Sequence, residues 1–259
     1  MADDTRMSSR PQFLRRLGLA DAVTVANAAV GLTAAVVVGF DTGLAARLVL
    51  LAAVADGLDG VLARRFGGTD VGPHLDSLAD VASFGVAPAL LVTTTALPAS
   101  PTAAPLRAAV VTLVAALYVG FAVVRLGVYT VEDEDAITTH GVQTTLAATI
   151  LAASVLAGLG SPAVVFGLAA VLAPSMVVPI AYPDLHAQDA LVMGVVQAVA
   201  VLATGRVGDA FAFALLFLAL GYTVLGPRFY WRSTTPAGGE TTAGTETGDC
   251  PDARDAGAR

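Results

Sequence analysis

Four aspartates stand out by type and spacing. Asp56 and Asp59 lie three apart in Asp56-Gly57-Leu58-Asp59-Gly60-Val61-Leu62-Ala63-Arg64. Asp76 and Asp80 lie four apart in Gly72-Pro73-His74-Leu75-Asp76-Ser77-Leu78-Ala79-Asp80. On helices, both spacings put a pair of carboxylates on one face. Each pair borders a long apolar run. An aspartate at mid-membrane costs about 2.5–3.5 kcal/mol, and less toward the interface. Four neighbouring carboxylates also repel one another, so protons or cations must neutralise them. Oxygen-only ligands select hard divalent ions, Mg²⁺ or Mn²⁺. Four carboxylates can hold two such ions about 3.5–4 Å apart, an arrangement that acts on phosphoryl groups.

The residues between the pairs fit the same chemistry. Gly60 and Ala63 clear one side of their helix, so a bulky ligand can approach the backbone. Arg64 is a fixed cation able to grip a phosphate in bidentate fashion. Carboxylates, metal and arginine together describe a pyrophosphate site.

The elements that must position these groups are membrane helices. The chain is 56% hydrophobic and 14% charged, with mean hydropathy +0.74, against about 25% charged in soluble domains. In lipid the backbone must satisfy its own hydrogen bonds, which a helix does. Apolar segments fall at Ala22–Phe40, Leu44–Ala63, Leu75–Leu97, Ala108–Val124, Gln143–Leu159, Pro162–Ala181, Ala187–Ala203 and Gly208–Leu225. They predict an all-α, polytopic transmembrane bundle of about eight helices over residues 20–226. Pro174 and Pro179 predict a break near the end of the sixth. Phe13, Leu14 and Leu17, with Arg15 and Arg16 on another face, predict an interfacial helix in a cytoplasmic N-terminus, 1–19. That N-terminus does not read as a cleaved signal peptide. Residues 227–259 open on an aromatic, basic stretch and continue as a polar tail expected to be disordered.

Charge sets orientation and narrows the partners. Nine arginines, Arg64, Arg65 and Arg125 among them, fall on the N-terminal side of the bundle; Arg47, Arg107 and Arg206 fall on the other. This predicts a cytoplasmic N-terminus and an active site facing the cytoplasm. All 14 basic residues are arginine, and 21 acids leave a net charge of −7. That balance argues against a nucleic-acid partner and predicts a halophilic source. The lone Cys250 excludes a disulfide framework or a cysteine-built zinc site.

The motif resembles the signature of the CDP-alcohol phosphatidyltransferase family: Asp, two residues, Asp-Gly, two residues, Ala-Arg, a spacer, then Gly, three residues, Asp, three residues, Asp. Every fixed position is matched. The spacer, Arg65–Val71, has seven residues where the usual pattern has eight. Counted from Gly72, Thr69 falls at a donor-binding position; counted from Arg64, Asp70 does. Thr69 is the reading adopted. The resemblance implies a homodimer, a CDP-lipid donor, two divalent ions and release of CMP. It implies that Asp56 and Asp76 bridge both ions, that Asp59 completes one, and that Asp80 completes the other and is the catalytic base. It also implies that Gly60 and Arg64 contact the CDP moiety.

The stretch Leu75–Ala89, with Ala122-Val123-Val124-Arg125-Leu126 and Pro179-Ile180-Ala181-Tyr182-Pro183, resembles the phosphatidylserine synthase branch, archaetidylserine synthases of halophilic archaea included. The implied acceptor is L-serine, and the implied donor is CDP-archaeol or CDP-diacylglycerol in the cell membrane. Arg125 is the candidate for the serine carboxylate, and Gln143, Thr144 and Thr145 are candidates for the same mouth. His74, beside the aspartates, is a candidate for donor or solvent contact. Glycerol phosphate or inositol phosphate are alternative acceptors, though each needs more cations than Arg64, Arg65 and Arg125. From another class, an ion-coupled transporter would also place carboxylates in a membrane. It predicts two related halves, and the motif occurs once.

Overall fold

The computed structural model describes residues 17–131, 138–183 and 187–229. Most of the expected interfacial helix, the acidic stretch within residues 132–137 and the tail beyond 229 lie outside the described residues.

Eight helices form among the described residues. They are α1 (Leu19–Val37), α2 (Thr42–Phe66), α3 (Gly72–Ala96), α4 (Pro105–Val131), α5 (Thr144–Leu159), α6 (Pro162–Ser175), α7 (Ala187–Leu202) and α8 (Gly205–Phe229). Their starts follow local chemistry. The Asp41 carboxylate accepts from the Leu44 N–H at 2.9 Å and caps α2. Ser161 accepts from the Val164 N–H, and Pro162 opens α6. Pro174 stands in the last turn of α6, so the sixth helix ends at Ser175 rather than reaching Ala181. In the other direction, α8 runs through Pro227 to Phe229, a turn beyond the expected end.

Four helices, α1, α3, α4 and α8, are long and apolar enough to cross a membrane, and the chain is a multi-pass membrane protein. α2 has 25 residues, but Arg47, Asp56, Asp59, Arg64 and Arg65 lower its hydropathy. The outer surface agrees: Phe40 is 89% exposed, Leu106 78% and Phe217 71%. Water would penalise such a surface, whereas lipid does not.

α5 is the centre of the bundle, with every residue from Leu146 to Ser154 buried. It packs against α2, α3, α6 and α8. α1 and α3 touch at backbone distance. A Cβ on Gly31 would lie 2.6 Å from the Ser83 Cα, and the Ser83 hydroxyl donates to the Asn27 carbonyl at 3.0 Å. Small residues permit this approach, as in membrane helix pairs generally.

Two features depart from plain helices. α3 widens into a π turn over Val81–Val86, just before Pro88, which has no N–H to give the preceding turn. Outside the helices, Thr138–His140 pairs antiparallel with Ala181–Pro183. This short ribbon is continued by the Gly141 N–H on the Ile180 carbonyl (2.8 Å) and the Val142 N–H on the Ser175 carbonyl (2.9 Å). Gly141 has φ +76°, and a Cβ there would strike the Met176 carbonyl group. The ribbon thus fixes where α5 begins.

Candidate active site

α2 and α3 deliver the aspartates from opposite sides of one tight connection. Gly67 closes α2 with φ +90°, a left-handed value that favours glycine, and its N–H reaches the Ala63 carbonyl at 2.9 Å. The Gly72 N–H then bonds the Thr69 carbonyl at 3.0 Å as α3 starts. Arg65 and Phe66 of the spacer complete α2, residues 67–71 form a compact turn, and Asp56, Asp76 and Asp80 converge. Each offers a carboxylate oxygen, and these oxygens all lie within 4.8 Å of one another.

Asp59 is not part of that trio. It is buried and accepts from the Thr24 hydroxyl at 2.7 Å. One helical turn beyond Asp56, it faces α1 and the adjoining cleft. The cleft has a volume of about 530 Å³ and is lined by Asp59, Gly60, Ala63, Arg64, Thr69 and Asp76, with Gly72 and Pro73 at the start of α3. A Cβ on Gly60 would meet the Arg64 guanidinium at 3.5 Å, so glycine there keeps room between backbone and cation. Thr69 lines the cleft; Asp70 and His74 are exposed and are not among its lining residues.

Two further helices reach the trio. Arg125, buried on α4, lies within electrostatic reach of Asp80. Thr145, in the first turn of α5, donates to Asp56 at 3.4 Å, while Thr144 is buried and Gln143 is half-buried at the helix start. Ser77 and Thr130 share a hydrogen bond of 2.6 Å, which ties α3 to α4 beside the aspartates.

The donor set fits a hard divalent cation. Three carboxylates crowd together, and the Asp80 Oδ1 is buried with no hydrogen-bond partner among the described residues. An oxygen left in that state costs free energy unless a cation or proton meets it. Sulfur and imidazole take no part in the group, which matches the preference of Mg²⁺ and Mn²⁺.

The sequence reading passed over α1. Asp21, Thr24 and Asn27, three apart on a mostly apolar span, are 2%, 4% and 0% exposed. Thr24 holds Asp59, and Asp21 lines the cleft. Their spacing is the signal: polar residues at i, i+3 and i+6 share one face of a membrane helix.

Comparison with known proteins adds the family. The profile described as CDP-alcohol phosphatidyltransferase matches residues 17–181, more than half of the chain and the whole of this site. The chain belongs to that family. Similar proteins include the archaetidylserine synthase of Methanothermobacter thermautotrophicus, 42% identical over 81 residues, covering 29% of this chain and 34% of that one. The CDP-diacylglycerol–serine O-phosphatidyltransferase of Mycobacterium leprae is 38% identical over 100 residues, or 37% and 33% of the two chains. The protein of the same description from Methanocaldococcus jannaschii is 43% identical over 75 residues, or 29% and 34%. The matches thus span about a third of each relative's length.

Proposed function

We propose that the protein transfers the lipid phosphate of a CDP-activated lipid to the hydroxyl of L-serine and releases CMP. The observation that carries this reading is the convergence of Asp56, Asp76 and Asp80 beside a cleft that also holds Arg64, in a chain of this family. The serine acceptor rests on the relatives, each named for a serine product or substrate, and on Arg125. Arg125, the one buried arginine among the described residues, lies beside Asp80 and suits the carboxylate of a zwitterion. Glycerol phosphate or inositol phosphate would bring more negative charge than the mouth balances.

In this account Asp56, Asp59, Asp76 and Asp80 would hold two divalent ions, Mg²⁺ or Mn²⁺, which when bound would supply positive charge against the pyrophosphate and the departing CMP. Arg64 pairs with the donor phosphates, and Gly60, Ala63 and Thr69 shape the cleft around them. Thr24 holds the Asp59 carboxylate in place, and Thr145 does the same for Asp56. Asp80 takes the proton of the serine hydroxyl. The serine oxygen bonds to the phosphorus that bears the lipid, the bond from that phosphorus to the CMP oxygen breaks, and CMP carries away the electron pair.

The cytoplasmic orientation rests on the arginine asymmetry, since the α2–α3 connection lies on the arginine-rich side. The homodimer, and archaeol or diacylglycerol as the lipid, follow the family resemblance. The test is mass spectrometry of lipid products from purified protein given CDP-archaeol or CDP-diacylglycerol and a panel of alcohols. A serine phospholipid is expected. A glycerol phosphate or inositol phosphate product with none from serine would replace the acceptor. Absence of any CMP release would remove the reaction.

A further inference from the structure

The end of the bundle away from the aspartates carries a groove of its own. The end of α3 and the starts of α4 and α6 enclose a cavity of about 560 Å³, within the range of roughly 300–1,000 Å³ for ligand sites. Leu106, Val110, Val111 and Phe166 form its apolar wall, and Arg107 and Ser161 also line it. Leu106 and Val110 are exposed, so the trough opens on the outer surface of the bundle. Ala96, another lining residue, follows Asp80 by sixteen positions on α3. That is a rise of about 24 Å at about 1.5 Å per residue, against a hydrocarbon core about 30 Å thick. The groove therefore lies at the membrane edge opposite the aspartates, in the other leaflet.

Its polar side chains are donors. The Arg107 guanidinium has several N–H groups to give. Among the described residues it makes one hydrogen bond, to the Ala96 carbonyl at 3.4 Å, and no ion pair. That bond is longer than the usual N–H···O range of about 2.7–3.2 Å. The Ser161 oxygen accepts from the Val164 N–H, and its own proton donates to nothing among the described residues. No acidic side chain lines the groove among the described residues. A permanent cation and a hydroxyl beside an apolar trough match an anionic head joined to a hydrocarbon chain. A free phosphate would leave the trough empty. A zwitterionic head would bring an ammonium with no carboxylate to meet it.

We propose that this groove binds one anionic phospholipid of the leaflet opposite the aspartates. Its phosphate rests on Arg107 and Ser161, and one chain lies along Leu106, Val110, Val111 and Phe166. The assignment is independent of the acceptor and of the chemistry at the aspartates.

Trp231 is the only tryptophan of the chain, so Phe166→Trp with Trp231→Phe gives a reporter with one indole, placed in the groove. The full-length reporter in phosphatidylcholine nanodiscs is given brominated phosphatidylglycerol or brominated phosphatidylcholine with the same chains. Phosphatidylglycerol should quench at about a fivefold lower fraction, the scale of one cation near an anionic lipid. Arg107→Gln should abolish that preference. Arg206→Gln, at the start of α8 on the same side of the bundle, should leave it unchanged. Equal quenching by the two lipids with Arg107 intact overturns the assignment. So does a preference that survives Arg107→Gln, or one that falls equally with Arg206→Gln and so reflects general surface attraction. Quenching by neither lipid also overturns it and leaves the groove to a second copy of the chain. Native mass spectrometry of the chain without the reporter substitutions, offered equal amounts of the two lipids, guards against a reporter that misfolds. Preferential retention of phosphatidylglycerol that disappears in Arg107→Gln is expected, and its absence overturns the assignment.

Discussion

Neutralising Asp80 should make the metal-free protein more stable while destroying its chemistry. The Asp80 carboxylate is 6% exposed and shares a group with Asp56 and Asp76 whose oxygens lie within 4.8 Å. At a pH high enough to ionise all three, two like unit charges at that separation repel by about 3.5 kcal/mol at an effective dielectric of about 20. Asp80→Asn removes two such pairs without changing the shape of the side chain. Even about 1 kcal/mol of relief would raise Tm by roughly 2–4 °C in a chain of this size. With metal the order reverses. Binding at a hundred times Kd stabilises the wild type by about 2.7 kcal/mol, and a weakened site recovers less. The assay is thermal unfolding in detergent, with EDTA and with MgCl₂, alongside single-turnover CMP release. The variant should melt above wild type in EDTA and gain less from Mg²⁺. Loss of a general base alone should slow transfer by about 10²–10⁴-fold, while donor binding persists. A variant that melts below wild type in EDTA would refute the repulsion argument. One that transfers at the wild-type rate would remove Asp80 as the base.

Other substitutions probe the neighbouring groups. Asp56→Asn and Asp76→Asn should each abolish measurable transfer to serine, and near-normal rates in either would remove its bridging role. Arg64→Lys should raise the KM for CDP-lipid more than it lowers kcat, since a point charge replaces a planar fork; steady-state kinetics with varied donor reads the split. Thr24→Val removes the 2.7 Å bond to the buried Asp59. It should cost about 1.5–3 kcal/mol of stability, the range for a bond to a charged group, seen as a lower Tm in MgCl₂.

The candidate active-site face was legible in the sequence because its signal is local. The i, i+4 spacing of Asp76 and Asp80 needs only helical geometry to bring that pair to one face, and Asp56 meets them across the connection between α2 and α3. Composition carried the membrane class and the helix count for the same reason. What stayed hidden depends on contacts distant in sequence. The bond from Thr24 to Asp59 joins residues 35 apart, and the bond from Thr145 to Asp56 spans 89. No spacing rule relates such residues, so the motif, which implies that Asp59 completes one ion, carries no sign of its bond to Thr24 on α1. The π turn after Asp80 arises from a missing N–H at Pro88 within an unbroken apolar run, where periodicity gives no warning. The ribbon at Thr138–His140 and Ala181–Pro183 is three residues a side, too short for an alternating pattern to show.

The route of the serine oxygen tests the central claim most directly. Purified protein with Mg²⁺ and CDP-lipid would be given L-serine labelled with ¹⁸O in its hydroxyl group, and both products weighed by mass spectrometry. Attack by that hydroxyl on the lipid-bearing phosphorus places the label in the serine phospholipid and leaves CMP unlabelled, with both products absent in excess EDTA. An unlabelled lipid product, label in the CMP fraction, or full turnover in EDTA would contradict the account.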